Sequence, residues 1–160
     1  MSSAGYYFAY GSNMNPERVR VRGMAIRSYM AGTLNDYRLA FNKRSTIVPG
    51  AASANVMASP GSVVEGVIYQ LEDHTTIETM DPFEGYPVRY GRHIVPIITR
   101  EGVLESWVYT ARADHIQEGL RPARWYLDHL LAGKDMLSEA YFKSLESVVP
   151  LADSHIEPRR

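Results

Sequence analysis

Turn residues divide most of this chain into apolar runs too short for helices, and that punctuation limits it to a sheet-based fold. Tyr6–Tyr10 is bounded by Gly5 and Gly11. Ile26–Leu34 and Tyr37–Phe41 are separated by Asn35-Asp36, and Pro60-Gly61-Ser62 precedes Val63–Leu71. Tyr90–Thr99 and Val103–Thr110 flank Arg100-Glu101-Gly102, the pattern of a hairpin. The small residues of Pro49–Ser59 suit a strand lying close to another backbone or to a ligand. Helical signals are brief until residue 122: Asn15-Pro16-Glu17 opens a helix that stops by Gly23, and Asp73 caps one with Ile77 and Met80 on one face. Pro122–Ala132 then sets Trp125, Leu127, Leu130 and Leu131 at core-facing spacings. Ser138–Val149 opens on a capping residue and carries Tyr141, Phe142 and Leu145. The expected fold is α+β: a mainly antiparallel sheet or barrel of six or seven strands with flanking helices. Residues 1–150 read as one domain, and 151–160 as a polar tail expected to be mobile.

Composition narrows the chemistry. With 45% hydrophobic and 22% charged residues, 160 residues are enough for an ordinary globular core. The absence of cysteine excludes thiol nucleophiles and thiolate-bound zinc. A net charge of -1 offers no basic field for nucleic acid. No secretory signal and no membrane-length apolar run occur, so a cytoplasmic protein away from membranes is expected. The five histidines show no i, i+4 pair, and neither a nucleophile elbow nor a glycine-rich phosphate loop is present; no metal or cofactor is expected. Arg18, Arg20, Arg22 and Arg27 read as a solvated face or as internal ion pairs, and Trp125 and Tyr126 as core and rim of their helix. That aromatic face is also a surface on which a homodimer could form.

Two segments break the ordinary pattern. In Tyr7-Phe8-Ala9-Tyr10-Gly11-Ser12-Asn13-Met14 a buried strand runs into a turn and a helix start. Gly11 permits close backbone approach, and successive N–H groups there suit a carboxylate; a plain turn with Ser12 and Asn13 as local caps is the alternative. In Met80-Asp81-Pro82-Phe83-Glu84-Gly85-Tyr86, Glu84 lies between an apolar helix end and a glycine. Desolvation and the helix C-terminus would both raise a carboxyl pKa there, which suits proton shuttling near neutrality; an exposed loop glutamate is the alternative.

Together with Tyr90 and with Asp-x-x-Glu-Gly at 81–85, the Tyr-Phe-Ala-Tyr-Gly-Ser-Asn-Met run resembles the γ-glutamylcyclotransferase family. Gly32…Tyr37-Arg-Leu-Ala-Phe41, Val63-Val-Glu-Gly-Val-Ile-Tyr69, Val108-Tyr109, Pro122…Tyr126 and Tyr141 continue the likeness in order. The chain departs from the family at Pro49-Gly50-Ala51-Ala52 and at Pro122-Ala123, where the family has Trp-x-Gly-Gly and Pro-Ser. The resemblance implies a small closed β-barrel with a pocket at one end. It implies substrate binding by Tyr7, Phe8, Ala9, Tyr10, Gly11, Ser12, Asn13, Tyr90 and Tyr109, with Glu84 as general acid/base. The implied reaction turns a γ-glutamyl amide, foremost a γ-glutamyl amino acid, into 5-oxoproline and a free amine. Other γ-glutamyl amines or γ-glutamyl-protected intermediates, and a non-catalytic binding module, are the competing readings.

Overall fold

A computed structural model describes residues 5–158. Its centre is a closed barrel of five strands in the order β1-β3-β2-β4-β5. The strands are β1 (Tyr6–Ala9), β2 (Ile26–Arg44), β3 (Ala52–Leu71), β4 (Tyr90–Thr99) and β5 (Gly102–Ala111). All pairings are antiparallel except that of β1 with β5, where Tyr7 sits opposite Trp107 and shuts the barrel. β1 is covered on both sides: Tyr7 and Ala9 join the core that holds Tyr69, Tyr109, Leu127 and Leu130, while Phe8 and Tyr10 join a second core with Ile68, Ile97 and Val108. A strand buried on both faces needs an unbroken apolar run, which is what Tyr6–Tyr10 supplies.

The count of five replaces the expected six or seven. Asn35-Asp36 and Pro60-Gly61-Ser62 do not end strands; they bulge within β2 and β3, between the pairs Asn35↔Val63 and Tyr37↔Ala58. Asp36 (φ 66°) and Gly61 (φ 84°) both take left-handed backbone, and Gly61 N–H donates to Asp36 Oδ1 at 3.0 Å. Two turn signals opposed across a ladder bend both strands together and leave the pairing intact on either side. The small-residue stretch is the first half of β3 from Ala52 onward. The β4–β5 hairpin forms as expected.

Among the described residues four α-helices, all outside the barrel ladder, connect or cover these strands: α1 (Pro16–Val21), α2 (Asp81–Glu84), α3 (Arg124–Leu131) and α4 (Glu139–Glu146). Asn15 caps α1 by accepting from Glu17 N–H (3.1 Å), and Ser138 caps α4 by accepting from Tyr141 N–H (3.2 Å). The segment after α4 is bonded to the start of α3. Leu151 N–H donates to Pro122 O (2.9 Å), and Arg124 and Trp125 N–H donate to Ser154 Oγ (2.8 Å) and O (3.0 Å). Through residue 158 the polar tail runs as a strap across the start of α3. Among the described residues no helix is long and apolar enough to cross a membrane.

Candidate active site

Asn13 joins the two segments singled out by the sequence. Its Nδ2 donates to Tyr7 Oη at 2.9 Å and lies 3.2 Å from the Met80 sulfur, 67 positions away. Its Oδ1 accepts from Arg22 Nη1 at 3.1 Å, and its carbonyl accepts from Tyr69 Oη at 2.6 Å. With its side chain spent on Tyr7 and Arg22, Asn13 shapes the loop. Tyr7, Gly11, Ser12 and Glu84 then line one open cleft. Phe8, Tyr10, Asn13, Tyr90 and Tyr109 line it as well. Ala9 does not: at 2% exposure its side chain is buried in the core with Tyr69 and Leu127.

Glu84 is the last residue of α2 and is half-buried. Gly85 ends that helix in left-handed backbone (φ 67°), which favours glycine there, with the Arg89 guanidinium lying over it. At the helix start, Asp81 receives Arg92 through Nε (2.9 Å) and Nη2 (3.0 Å) and accepts from Tyr109 Oη (2.6 Å). Arg92 is itself stacked on Tyr86 and Trp107, each 4.4 Å from ring centroid to guanidinium. This anchor joins the turn bearing Glu84 to β4 and β5.

The hydroxyls around the cleft are largely committed. Tyr10 donates to Tyr109 O (2.6 Å), Tyr90 to Ala54 O (2.7 Å) and Tyr109 to Asp81. Tyr90 and Tyr109, expected to bind substrate, therefore face the cleft with their hydroxyl hydrogens spent on Ala54 O and Asp81. Burial pushes the Tyr7, Tyr10, Tyr90, Tyr109 and Tyr126 phenols up, and the negative charge of Glu84 adds to the shift in all five. They stay protonated at physiological pH.

Four features escaped the sequence reading. Tyr126, read as a rim residue, places its oxygen where Ala54 N–H donates to it (2.8 Å) and the Ser12 backbone also bonds it. A Cβ on Gly11 would stand 2.8 Å from that hydroxyl, which is why glycine is required there. Arg18 and Arg22 line the cleft, whereas Arg20 pairs outward with Glu17; the i, i+4 spacing of the first two was the available signal. Lys43, 5% exposed and 5.5 Å from the Tyr90 ring centroid, and Arg89 complete the set, and nothing in their local sequence marks them. The cleft is thus lined by four cations and one carboxylate, Glu84. Among the described residues no group of three or more histidines and carboxylates is placed to hold a metal ion.

Residues 7–127 match the family described as Gamma-glutamyl cyclotransferase, AIG2-like. The chain is 30% identical over 152 residues to the gamma-glutamylcyclotransferase of Bos taurus, covering 90% of this chain and 78% of that protein. Against the human gamma-glutamylcyclotransferase it is 32% identical over 103 residues, 60% of this chain and 53%, about half, of that protein. A solved structure titled Gamma-glutamyl cyclotransferase superposes with a TM-score of 0.77 at 23% identity, over 92% of this chain and 89% of the other, and supports the fold. The chain belongs to the γ-glutamyl cyclotransferase, AIG2-like family, and through it to a class of enzymes.

Proposed function

We propose that this protein converts a γ-glutamyl amide to 5-oxoproline and a free amine, with Glu84 as general acid/base. The observation that carries the reading is that Glu84 and the Tyr10-Gly11-Ser12 turn line the same cleft. The substrate's α-ammonium gives a proton to the Glu84 carboxylate, and the freed amine attacks its own γ-carbonyl carbon. The new C–N bond closes a five-membered ring through a tetrahedral oxyanion. Collapse of that oxyanion breaks the bond to the leaving nitrogen, which takes the first proton back from Glu84; the regenerated carboxylate then accepts the second proton from the ring nitrogen and passes it to the departing amine. No enzyme nucleophile is consumed, in keeping with a chain that has no cysteine. Holding the amine in line with the carbonyl is worth roughly 7–11 kcal/mol in well-oriented intramolecular attack. The Tyr126 hydrogen, with its oxygen fixed by two backbone amides, is an oriented donor for a substrate oxygen.

The leaving group is a γ-glutamyl-linked amino acid. The γ-glutamyl portion is a zwitterion with no net charge, so the surplus of cations in the cleft favours a leaving group that brings a carboxylate. The test is Glu84→Gln assayed by 5-oxoproline release across γ-glutamyl amino acids, γ-glutamylamines and glutathione. The substitution keeps the shape and removes the proton exchange, and the expected loss is about 10²–10⁴-fold in kcat. A folded Glu84→Gln protein that works at the parent rate overturns the assignment. A parent that binds these compounds without releasing 5-oxoproline is a binding module.

A further inference from the structure

The strap, residues 151–158, lies beyond the segment that matches the family, yet it reaches the substrate loop. Arg18, whose side chain is 9% exposed, donates through Nη1 to Glu157 Oε2 at 2.9 Å and through Nε to Ser12 Oγ at 3.2 Å. A guanidinium is rigid and planar, so fixing one edge aims the other. Ser12 is 8% exposed and lines the cleft. With its oxygen accepting from Arg18, the Ser12 hydrogen is directed away from that cation. The remaining oxygen of Glu157, Oε1, lies 2.8 Å from His129 Nε2. The cap of α1 assigns the tautomer: Asn15 Oδ1 accepts from Glu17 N–H, which turns Asn15 Nδ2 toward His129 Nδ1 at 3.1 Å. With Nδ1 accepting from Asn15, Nε2 is left to donate to Glu157, and the Arg18 Nη1 that lies 3.1 Å from Nε2 is then a second donor gathered at the same carboxylate rather than a bond to the ring.

We propose that Glu157 is a positioning residue for the substrate loop: its carboxylate holds the Arg18 guanidinium on Ser12 and so fixes the direction in which the Ser12 hydroxyl donates to bound substrate. The strap can do this because it is fastened upstream, through Leu151 to Pro122 and through Ser154 to the first turn of α3. The effect on substrate rests on the reading of the cleft as a γ-glutamyl site; the effect on the loop does not.

Two measurements separate those parts. In steady-state assays with a γ-glutamyl amino acid, Glu157→Gln raises KM about three- to tenfold and leaves kcat within about twofold, the loss of one charged hydrogen bond at a partly exposed site. Placed on top of Arg18→Gln, it adds nothing further, because the same linkage is already broken. Glu157→Asp keeps the charge and recovers part of the KM. Without substrate, backbone amide exchange at Ser12 and Asn13 quickens in Glu157→Gln and equally in Arg18→Gln. An unchanged KM, effects that multiply in the double variant, or unaltered exchange at Ser12 overturns the proposal. If the parent releases no 5-oxoproline, the γ-glutamyl reading falls, and the exchange result alone decides whether Glu157 orders the loop.

Discussion

The Tyr126 hydroxyl shows how much one atom can organise. It accepts from the Ala54 amide on β3 and from the Ser12 backbone in the loop after β1, so the two walls of the cleft meet on it. Tyr126→Phe leaves both amides without their acceptor. Buried donors in that state cost about 1–3 kcal/mol each, so urea denaturation should place the variant well below the parent, with activity reduced beyond what the unfolded fraction explains. His129 gives a pH signature of opposite origin. Burial and the neighbouring Arg18 cation hold its pKa below the ordinary value, against the pull of Glu157. The folded state thus prefers the neutral ring, and protons bind more readily to the unfolded chain. The contribution to stability is full above about pH 6.5 and falls as the pH drops through the folded pKa. Protonation would also put a hydrogen on Nδ1, facing the Asn15 amide donor. Thermal melts from pH 7.5 to 5 should decline, and His129→Gln should flatten that slope; parallel curves would remove His129 as the cause.

The helix that presents Tyr126 has no cap of its own. Ala123 stands at the N-cap of α3, where a hydroxyl would serve, and Ser154 of the strap supplies both an Oγ and a carbonyl to the first amides. Ser154→Ala is expected to cost about 1 kcal/mol, the usual worth of an N-cap, read as a shifted denaturation midpoint with an unchanged slope. The position of α3 was plain from its apolar spacing, and the Pro122-Ala123 departure was visible. What covered for it was not: the cap comes from a segment whose polar composition carries no packing signal. The same limit explains the strand count. Asn35-Asp36 and Pro60-Gly61 each read as a chain reversal when taken alone. Only their register, one across from the other, turns them into a shared bend. By contrast β1, α1, α4 and the β4–β5 hairpin rest on local chemistry, namely an apolar run, capping residues and a glycine turn, and those were legible.

For the molecule as a whole, the loop and Glu84 could be read because each carries its peculiarity within a few residues. Lys43 and Arg89 could not, since their role lies in converging from β2 and from the segment after α2. Their convergence also makes a prediction that composition cannot. A net charge of -1 exerts no long-range pull on an anion, so any attraction must come from how the charges are distributed. Raising the salt from about 0.01 M to about 1 M shortens the screening length from about 30 Å to about 3 Å. The kcat/KM for a γ-glutamyl amino acid should therefore fall several-fold over that range. A γ-glutamylamine with an uncharged leaving group has no net charge to be steered and should stay nearly constant. Arg89→Gln should reduce the salt slope for the first substrate and leave the second alone. Equal salt responses for the two substrates would mean that the cations hold the cleft together without reading the leaving group, and the preference for amino acids over amines would lose its physical basis.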